Sequence, residues 1–476
     1  MNKYKKLVFN TGIFAIGTFG SKILIILLSR LYAHNMDAAN NGVKELLENM
    51  LLFLQPVFTF ALQEYLIRFG LDKNYDKHEV FTTSGIITFA GMMLMAVTVP
   101  VISNITAFNF LKGYTLLFIL YMTMSSIRMF CQNCVRSRDM VKIFSIDGIL
   151  ATLTFLILNV IFIAKLHMGV KGFILSTIIS DGCSAIFLFA VARLREYTGF
   201  EYFNKELGRE MMRFATPLIP TIVMWAITSL SDRLFIRQMH SDYHSLGESA
   251  VGMYSFANKI PNLISVVSTI FFQAWSMSAI TENESADRSS FYEKVYSAYE
   301  AMMFMAAAAL LVVIKPVTAF LVPSDKNIEY ASVYIYTPIL VAAVVFMCFN
   351  QFLGSIYSAT KHQKNSFWTA LVACGVNIPM NFFLIPVWGI QGAAVATLLS
   401  YLICFWARII DARYYVPFRF DGLKNLANTA ILLVMCIIMI FEVKLYIVWM
   451  LLLAAVIAAL NYKALLITVN KLLKRR

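Results

Sequence analysis

The sequence is poor in charge. Only 14% of its 476 residues are Asp, Glu, Lys or Arg, while 59% are hydrophobic; soluble globular domains carry about 25% charged residues. A soluble fold is thereby excluded. Equally absent is the polar/apolar alternation over roughly 10 positions that marks an outer-membrane strand. There is no Walker A loop, no pair of catalytic carboxylates in a soluble domain, and no metal-spaced grouping of the six His. The short loops leave no room for an extramembrane catalytic domain, so neither an enzyme nor a bound cofactor is expected. Seven cysteines, Cys131, Cys134, Cys183, Cys348, Cys374, Cys404 and Cys436, lie in or beside apolar segments and form no disulfide framework. Cys131 and Cys134 make a C-x-x-C without the second cluster a zinc site needs, and read as small residues at a helix end.

Apolar runs dominate instead. They recur from Leu7 to Val469, each about 20 residues long, enough to cross a hydrocarbon core as an α-helix. The pattern predicts an all-α integral membrane protein with about fourteen spans. Their approximate ranges are 8–31, 46–67, 80–103, 111–131, 143–164, 170–192, 211–236, 250–278, 297–321, 331–357, 366–386, 390–410, 425–441 and 445–469. The first run is too long for a signal h-region and lacks a small-residue cleavage site, so it reads as a retained helix. With the amino terminus placed in the cytoplasm, about 27 cations fall on inside segments and about six outside: Lys112, Lys165, Lys171, Arg237, Lys326 and Lys444. The formal charge of +13 thus reflects topology, with both termini cytoplasmic. It gives no support for nucleic acid binding.

The chain also repeats itself. Gly169-Val170-Lys171-Gly172 leads into Ser176-Thr177-Ile178-Ile179-Ser180, and Gly389-Ile390-Gln391-Gly392 leads into Ala396-Thr397-Leu398-Leu399-Ser400. Lys142 and Asn159 upstream match Lys364 and Asn381, with a two-residue slip before the glycines. Both copies join a fifth helix to a sixth, which makes the repeat parallel and its axis normal to the membrane. The expected architecture is a six-helix lobe over 1–200, a second over 201–412, and a helix pair over 413–476. Its usual consequence is a central cavity with alternating access.

Charges inside membrane helices cost about 2.5 to 3.5 kcal/mol each on insertion scales, so they mark function by default. Lys22 follows Gly17, Gly20 and Ser21; Asp232 and Arg233 follow Ser231; Lys259 sits in Tyr254-Ser255-Phe256-Ala257-Asn258-Lys259. Lys22, Arg233 and Lys259 together suggest a cationic cavity for phosphates, lysine acting as a point charge and arginine as a bidentate grip. Internal pairing, such as Lys22 with Asp232, is the alternative and makes a structural or gating bridge. Glu64 and Arg68 lie one helical turn apart and can pair locally. Asp147 and Asp181 are candidates for proton or cation coupling. Pro217, Pro220, Pro261, Pro316, Pro338 and Pro379 are candidate kinks. Trp225 and Trp275 read as core packing before sugar stacking.

The stretch from Val251-Gly252-Met253-Tyr254 to Pro261, continuing through Phe272-Gln273-Ala274-Trp275 to Glu282, resembles the polysaccharide biosynthesis, or oligosaccharide flippase, family. So do Gly20-Ser21-Lys22, Tyr65-Leu66-Ile67-Arg68-Phe69 and Ser231-Asp232-Arg233. The resemblance covers essentially the whole chain. It implies a twelve-helix, V-shaped core with two added helices, in the superfamily that also holds multidrug exporters and the lipid II flippase. It further implies transport of an undecaprenyl-pyrophosphate-linked repeat unit across a bacterial inner membrane for a surface polysaccharide. Expected partners are that lipid-linked oligosaccharide, membrane lipids, and a polymerase or glycosyltransferase; the drive would be a Na+ or H+ gradient or the membrane potential. Rival readings are a cation-coupled multidrug exporter, a lipid II flippase and an envelope scaffold. Exporters of organic cations favour acidic cavities, which Lys22 argues against; a rigid scaffold gains nothing from buried charge.

Overall fold

The computed structural model describes residues 27–72, 74–138, 140–282, 288–321, 330, 332–360 and 362–473. All regular structure among the described residues is helical. The chain forms two compact units, the first ending at Leu234 and the second starting at Phe235. The first contains α1 (27–35), α2 (Ala38–Phe58), α3 (Leu62–Leu71), α4 (Lys77–Ile102), α5 (Thr115–Ser137), α6 (Val141–Asn159), α7 (Gly169–Val191), α8 (Lys205–Ala215) and most of α9 (Ile219–Gln238). The second contains α10 (Glu248–Lys259), α11 (Asn262–Glu282), α12 (Arg288–Val312), α13 (Ile314–Leu321), α14 (Val333–Ala359), α15 (Gln363–Trp388), α16 (Ile390–Tyr415), α17 (Gly422–Ile440) and α18 (Tyr446–Leu473).

Ten helices among the described residues are long and apolar enough to cross a membrane: α4, α5, α6 with its π-helical extension to Lys165, α7, α9, α12, α14, α15, α16 and α17. Large apolar side chains such as Phe89, Val97, Leu116 and Ile186 stand exposed on them, as expected where lipid is the solvent. The protein is a multi-pass membrane protein.

Several predicted spans are broken. The run expected at 46–67 is two helices, because Phe60 and Ala61 take left-handed φ values of 52° and 54°. Gly91 of α4 makes the break possible: a Cβ there would lie 1.7 Å from the Phe58 carbonyl oxygen. The run at 250–278 divides at Ile260–Pro261, where proline has no N–H to continue the ladder. Pro338 and Pro379, by contrast, lie inside α14 and α15. The run at 211–236 hides an amphipathic helix, α8, separated from α9 around Pro217. Its Leu207, Met211 and Ala215 are buried in a cluster with α3 and α4 residues, while Lys205, Arg209 and Arg213 are exposed. Asn204 caps it by accepting from the Glu206 and Leu207 amides.

The repeat noticed in sequence has a backbone meaning. Gly169 and Gly389 have φ values of 53° and 58°, so each turns the chain between two antiparallel helices in a conformation that favours glycine. Three residues later, Gly172 and Gly392 let the new helix pack against the end of the old one. A Cβ on Gly392 would come within 2.3 Å of the Leu384 carbonyl oxygen. Asn159 and Asn381 are both fully buried; the first accepts from Tyr32 Oη at 3.0 Å, the second bonds Asn377.

Outside the spans, Glu442 accepts from Lys315 Nζ at 2.6 Å and Tyr334 Oη at 2.8 Å, tying the α17–α18 turn to α13 and α14. The Lys315 hydrogen bond, with that of Tyr334, holds the Glu442 carboxyl below its usual range.

Gly392→Ala forces backbone apart at a helix turn and is expected to cost at least about 2 kcal/mol, read as a lower unfolding temperature in detergent. Gly375→Ala, where an added Cβ meets nothing within 4 Å, is the control and should be neutral. A second expectation concerns acid. Folding favours ionised Glu442, so its contribution is present above the ordinary carboxylate range and lost as pH falls below about 4. Glu442→Gln should flatten that part of the stability profile; an unchanged profile would count against the tie.

Candidate functional site

The first unit contains two buried charge groups. In the first, Asp147 of α6 and Asp181 of α7 converge on α5, which presents Ser125, Arg128 and Gln132 at helical spacing on one face. Arg128 Nη1 lies 2.7 Å from Asp181 Oδ1, and its Nη2 lies 3.9 Å from Asp147 Oδ2. Ser125 donates to the other Asp181 oxygen; Gln132 and Ser184 donate to Asp147. Asp147 is 0% exposed. Two carboxylates thus share one guanidinium, and all four carboxylate oxygens have donors. Both acids are legible in the sequence as charges in apolar runs; Arg128, inside the predicted 111–131 span, carries the same signal and was the missing partner.

The repeat shows what the second unit does with the same positions. In the register that aligns Lys142 with Lys364 and Ser180 with Ser400, Arg128, Asp147 and Asp181 become Asn350, Thr369 and Tyr401. Asn350 Nδ2 donates to the Tyr401 carbonyl at 2.8 Å, so the helix contacts persist without the charges. Arg408, inside the expected 390–410 span, is buried: it donates to Thr369 Oγ1 at 2.9 Å and to the carbonyl oxygens of Asn350 and Ser366 at 2.6 and 3.4 Å. Its guanidinium would lie 2.9 Å from a Cβ on Gly354.

The second charge group of the first unit joins α2 to α9. Arg233 donates through Nη1 to the Ser229 carbonyl at 2.8 Å and Oγ at 3.2 Å, and its Nη2 lies 4.0 Å from Glu45 Oε2. Glu45 Oε1 faces Lys44 Nζ at 3.4 Å, and Lys44 pairs more closely with Glu48 at 2.7 Å. Ser229 Oγ donates to Asn49 Oδ1 at 2.9 Å. Lys44 is 2% exposed, its ammonium 4.8 and 4.6 Å from the Tyr32 and Phe173 ring centroids. Lys44, Glu45 and Glu48 escaped the sequence reading because they precede or open the apolar run, whereas α2 begins eight residues earlier, at Ala38, capped by Asp37.

Lys22 lies outside the described residues, as does the side chain of Glu64, so the Lys22–Asp232 and Glu64–Arg68 pairings do too. Arg68 is exposed with its guanidinium 4.9 Å from the Phe214 ring centroid. Asp232 is 2% exposed. Lys259 ends α10 in the second unit, its ammonium 4.4 Å from the Phe256 ring centroid. Trp275 is core: it donates to Ser355 Oγ at 2.8 Å and stacks on Phe352.

The family model described as "Polysaccharide biosynthesis protein" matches residues 7–276. The chain belongs to that family. No curated protein matches it. Solved structures share its fold at low identity. The lipid II flippase MurJ, in an inward closed conformation, superposes with a TM-score of 0.68 at 14% identity, covering 95% of this chain and 99% of that one. An inward-facing multidrug resistance MATE family transporter of the MOP superfamily also reaches 0.68, at 13% identity over 84% of this chain and 98% of its own. The Vibrio cholerae MATE transporter VcmN, as a point mutant, gives 0.63 at 13% identity, covering 87% and 97%. The polysaccharide biosynthesis family member described here therefore has the helical fold of MOP-superfamily transporters.

Removing one partner of a buried ion group leaves the others uncompensated, at a cost of about 3 to 5 kcal/mol. Arg128→Ala should accordingly lower the unfolding temperature sharply in detergent, and adding Asp181→Asn should recover much of the loss. A double variant no more stable than Arg128→Ala would show that the acids are not held by Arg128.

Proposed function

We propose that this protein flips undecaprenyl-pyrophosphate-linked oligosaccharide repeat units from the cytoplasmic to the outer leaflet of a bacterial inner membrane, for O-antigen, capsule or exopolysaccharide synthesis. The observation that carries the reading is the family match over residues 7–276. The fold shared with a lipid II flippase supports a lipid-borne cargo. In this reading about fourteen spans, both ends cytoplasmic, form two six-helix lobes (1–200 and 201–412) and a helix pair (413–476), and the lobes alternate access.

Arg233, with Lys22 and Lys259, holds the pyrophosphate while the lipid tail stays in the bilayer. A guanidinium can meet two phosphate oxygens at once, which a lysine cannot. Asp147 and Asp181 couple the cycle to a Na+ or H+ gradient or to membrane potential, and Asp232, Glu64 and Arg68 serve coupling or gating. The protein acts as a transporter and not as an enzyme, and hands its product to a polymerase or glycosyltransferase.

MATE transporters superpose as well as the lipid II flippase does, which supports a drug-export reading as the second choice; lipid II transport is the third. A deletion strain separates them. Under the leading reading, lipid extraction and mass spectrometry show a complete lipid-linked repeat unit accumulating, and an impermeant glycosidase cannot reach it. Arg233→Ala should reproduce that accumulation while the protein remains in the membrane. Normal lipid-linked intermediates with increased drug susceptibility would move the exporter reading to the front, and loss of viability would favour lipid II.

A further inference from the structure

Between α7 and α9 the chain carries apolar side chains and charge that no described part of the protein covers. Phe200 is 89% exposed and Phe203 47%, yet neither belongs to a membrane span. A held backbone imposes that exposure. Before them, the Gly199 amide donates to Thr82 Oγ1 at 3.1 Å and Tyr197 stacks on His78. After them, the Asn204 amide donates to Thr83 Oγ1 at 3.2 Å and its Nδ2 to Glu79 at 2.8 Å. α8 follows directly. Its Lys205, Arg209 and Arg213 recur every fourth residue, so they form one exposed row along the helix, away from the buried Leu207, Met211 and Ala215. None of the three cations is in an ion pair among the described residues. Glu210, beside the row, is engaged by Tyr75 Oη at 2.7 Å.

The placing of α8 suits a surface. Its cap touches Glu79 and Thr83 in the opening turns of α4, and its other end reaches the last turn of α3, where the Phe214 ring lies 6.0 Å from that of Phe69 and 4.9 Å from the Arg68 guanidinium. α3 and α4 are joined by a short turn between Leu71 and Lys77, so both ends of α8 lie within about two helical turns of it. α8 therefore lies across this hairpin, at the depth where α4 enters the membrane. We propose that residues 200–213 form a docking surface for acidic phospholipids of the membrane the protein spans, with Phe200 and Phe203 entering the acyl boundary and the row of Lys205, Arg209 and Arg213 meeting the headgroups. Apolar insertion and attraction to anionic lipid add in such interfacial segments, and each cation near an anionic leaflet contributes. A surface acidic at its headgroups and apolar just beneath matches aromatic rings and unpaired cations on one short segment. The proposal rests on the membrane placement of the chain and not on the cargo; only the assignment of this face to the cytoplasmic leaflet depends on the topology proposed above.

The test uses the purified full-length protein in vesicles of phosphatidylcholine with and without phosphatidylglycerol. Cys183 is the one exposed cysteine of the seven, so a nitroxide can be attached through Phe200→Cys in a Cys183→Ser background, with unfolding temperatures confirming folding. Collisions of the nitroxide with oxygen report lipid, and collisions with a nickel chelate report water. With phosphatidylglycerol present the label should favour oxygen over the chelate. That preference should reverse when phosphatidylglycerol is left out, at about 1 M salt, where the Debye length is about 3 Å, and after Lys205→Gln, Arg209→Gln and Arg213→Gln together. Should the label at Phe200 disturb folding, Phe203→Cys carries it instead. A label in water under every condition overturns the proposal. So does a label in lipid that ignores both phosphatidylglycerol and the triple substitution, since the cations then play no part. A label in water in the vesicles but shielded in native membranes marks a protein as the occupant and likewise overturns the lipid assignment.

Discussion

The cost of placing charge in a hydrocarbon environment organises this protein. A membrane helix can carry an ionised side chain only where another charge, a hydrogen-bond donor or water compensates it. The first unit meets that condition by bringing charges together from helices distant in sequence. Asp147 and Asp181 are held by one guanidinium and three neutral donors, and Glu45 bridges α2 to α9 through Arg233.

Two helix pairs, α6–α7 and α15–α16, use one kind of turn with different chemistry. Gly169 and Gly389 turn the chain alike, and a buried asparagine stands in each copy at Asn159 and Asn381. At the level of Arg128, Asp147 and Asp181, however, the second copy has Asn350, Thr369 and Tyr401, and its cation comes instead from Arg408. At this level the first copy pairs two carboxylates with a guanidinium, and the second sets a guanidinium among neutral acceptors. Shared helix geometry tolerates this divergence because the contacts that set the packing run through glycines, serines and backbone carbonyls, which do not depend on side-chain charge.

Much was legible in the sequence: the membrane class, most spans, the glycine repeat, and Arg233, Asp147 and Asp181 as charges in apolar runs. Composition and hydropathy carry this because crossing lipid demands some twenty apolar residues whatever the fold. What the tertiary structure decided was partnership. Hydropathy is blind to which faces meet, so it could not pair Asp181 with Arg128 or Arg233 with Glu45, nor find that Arg408 is buried. Nor could it see the break at Phe60 and Ala61, where neither residue type favours a left-handed turn, and where the chain takes one because Gly91 on another helix leaves room for the Phe58 carbonyl.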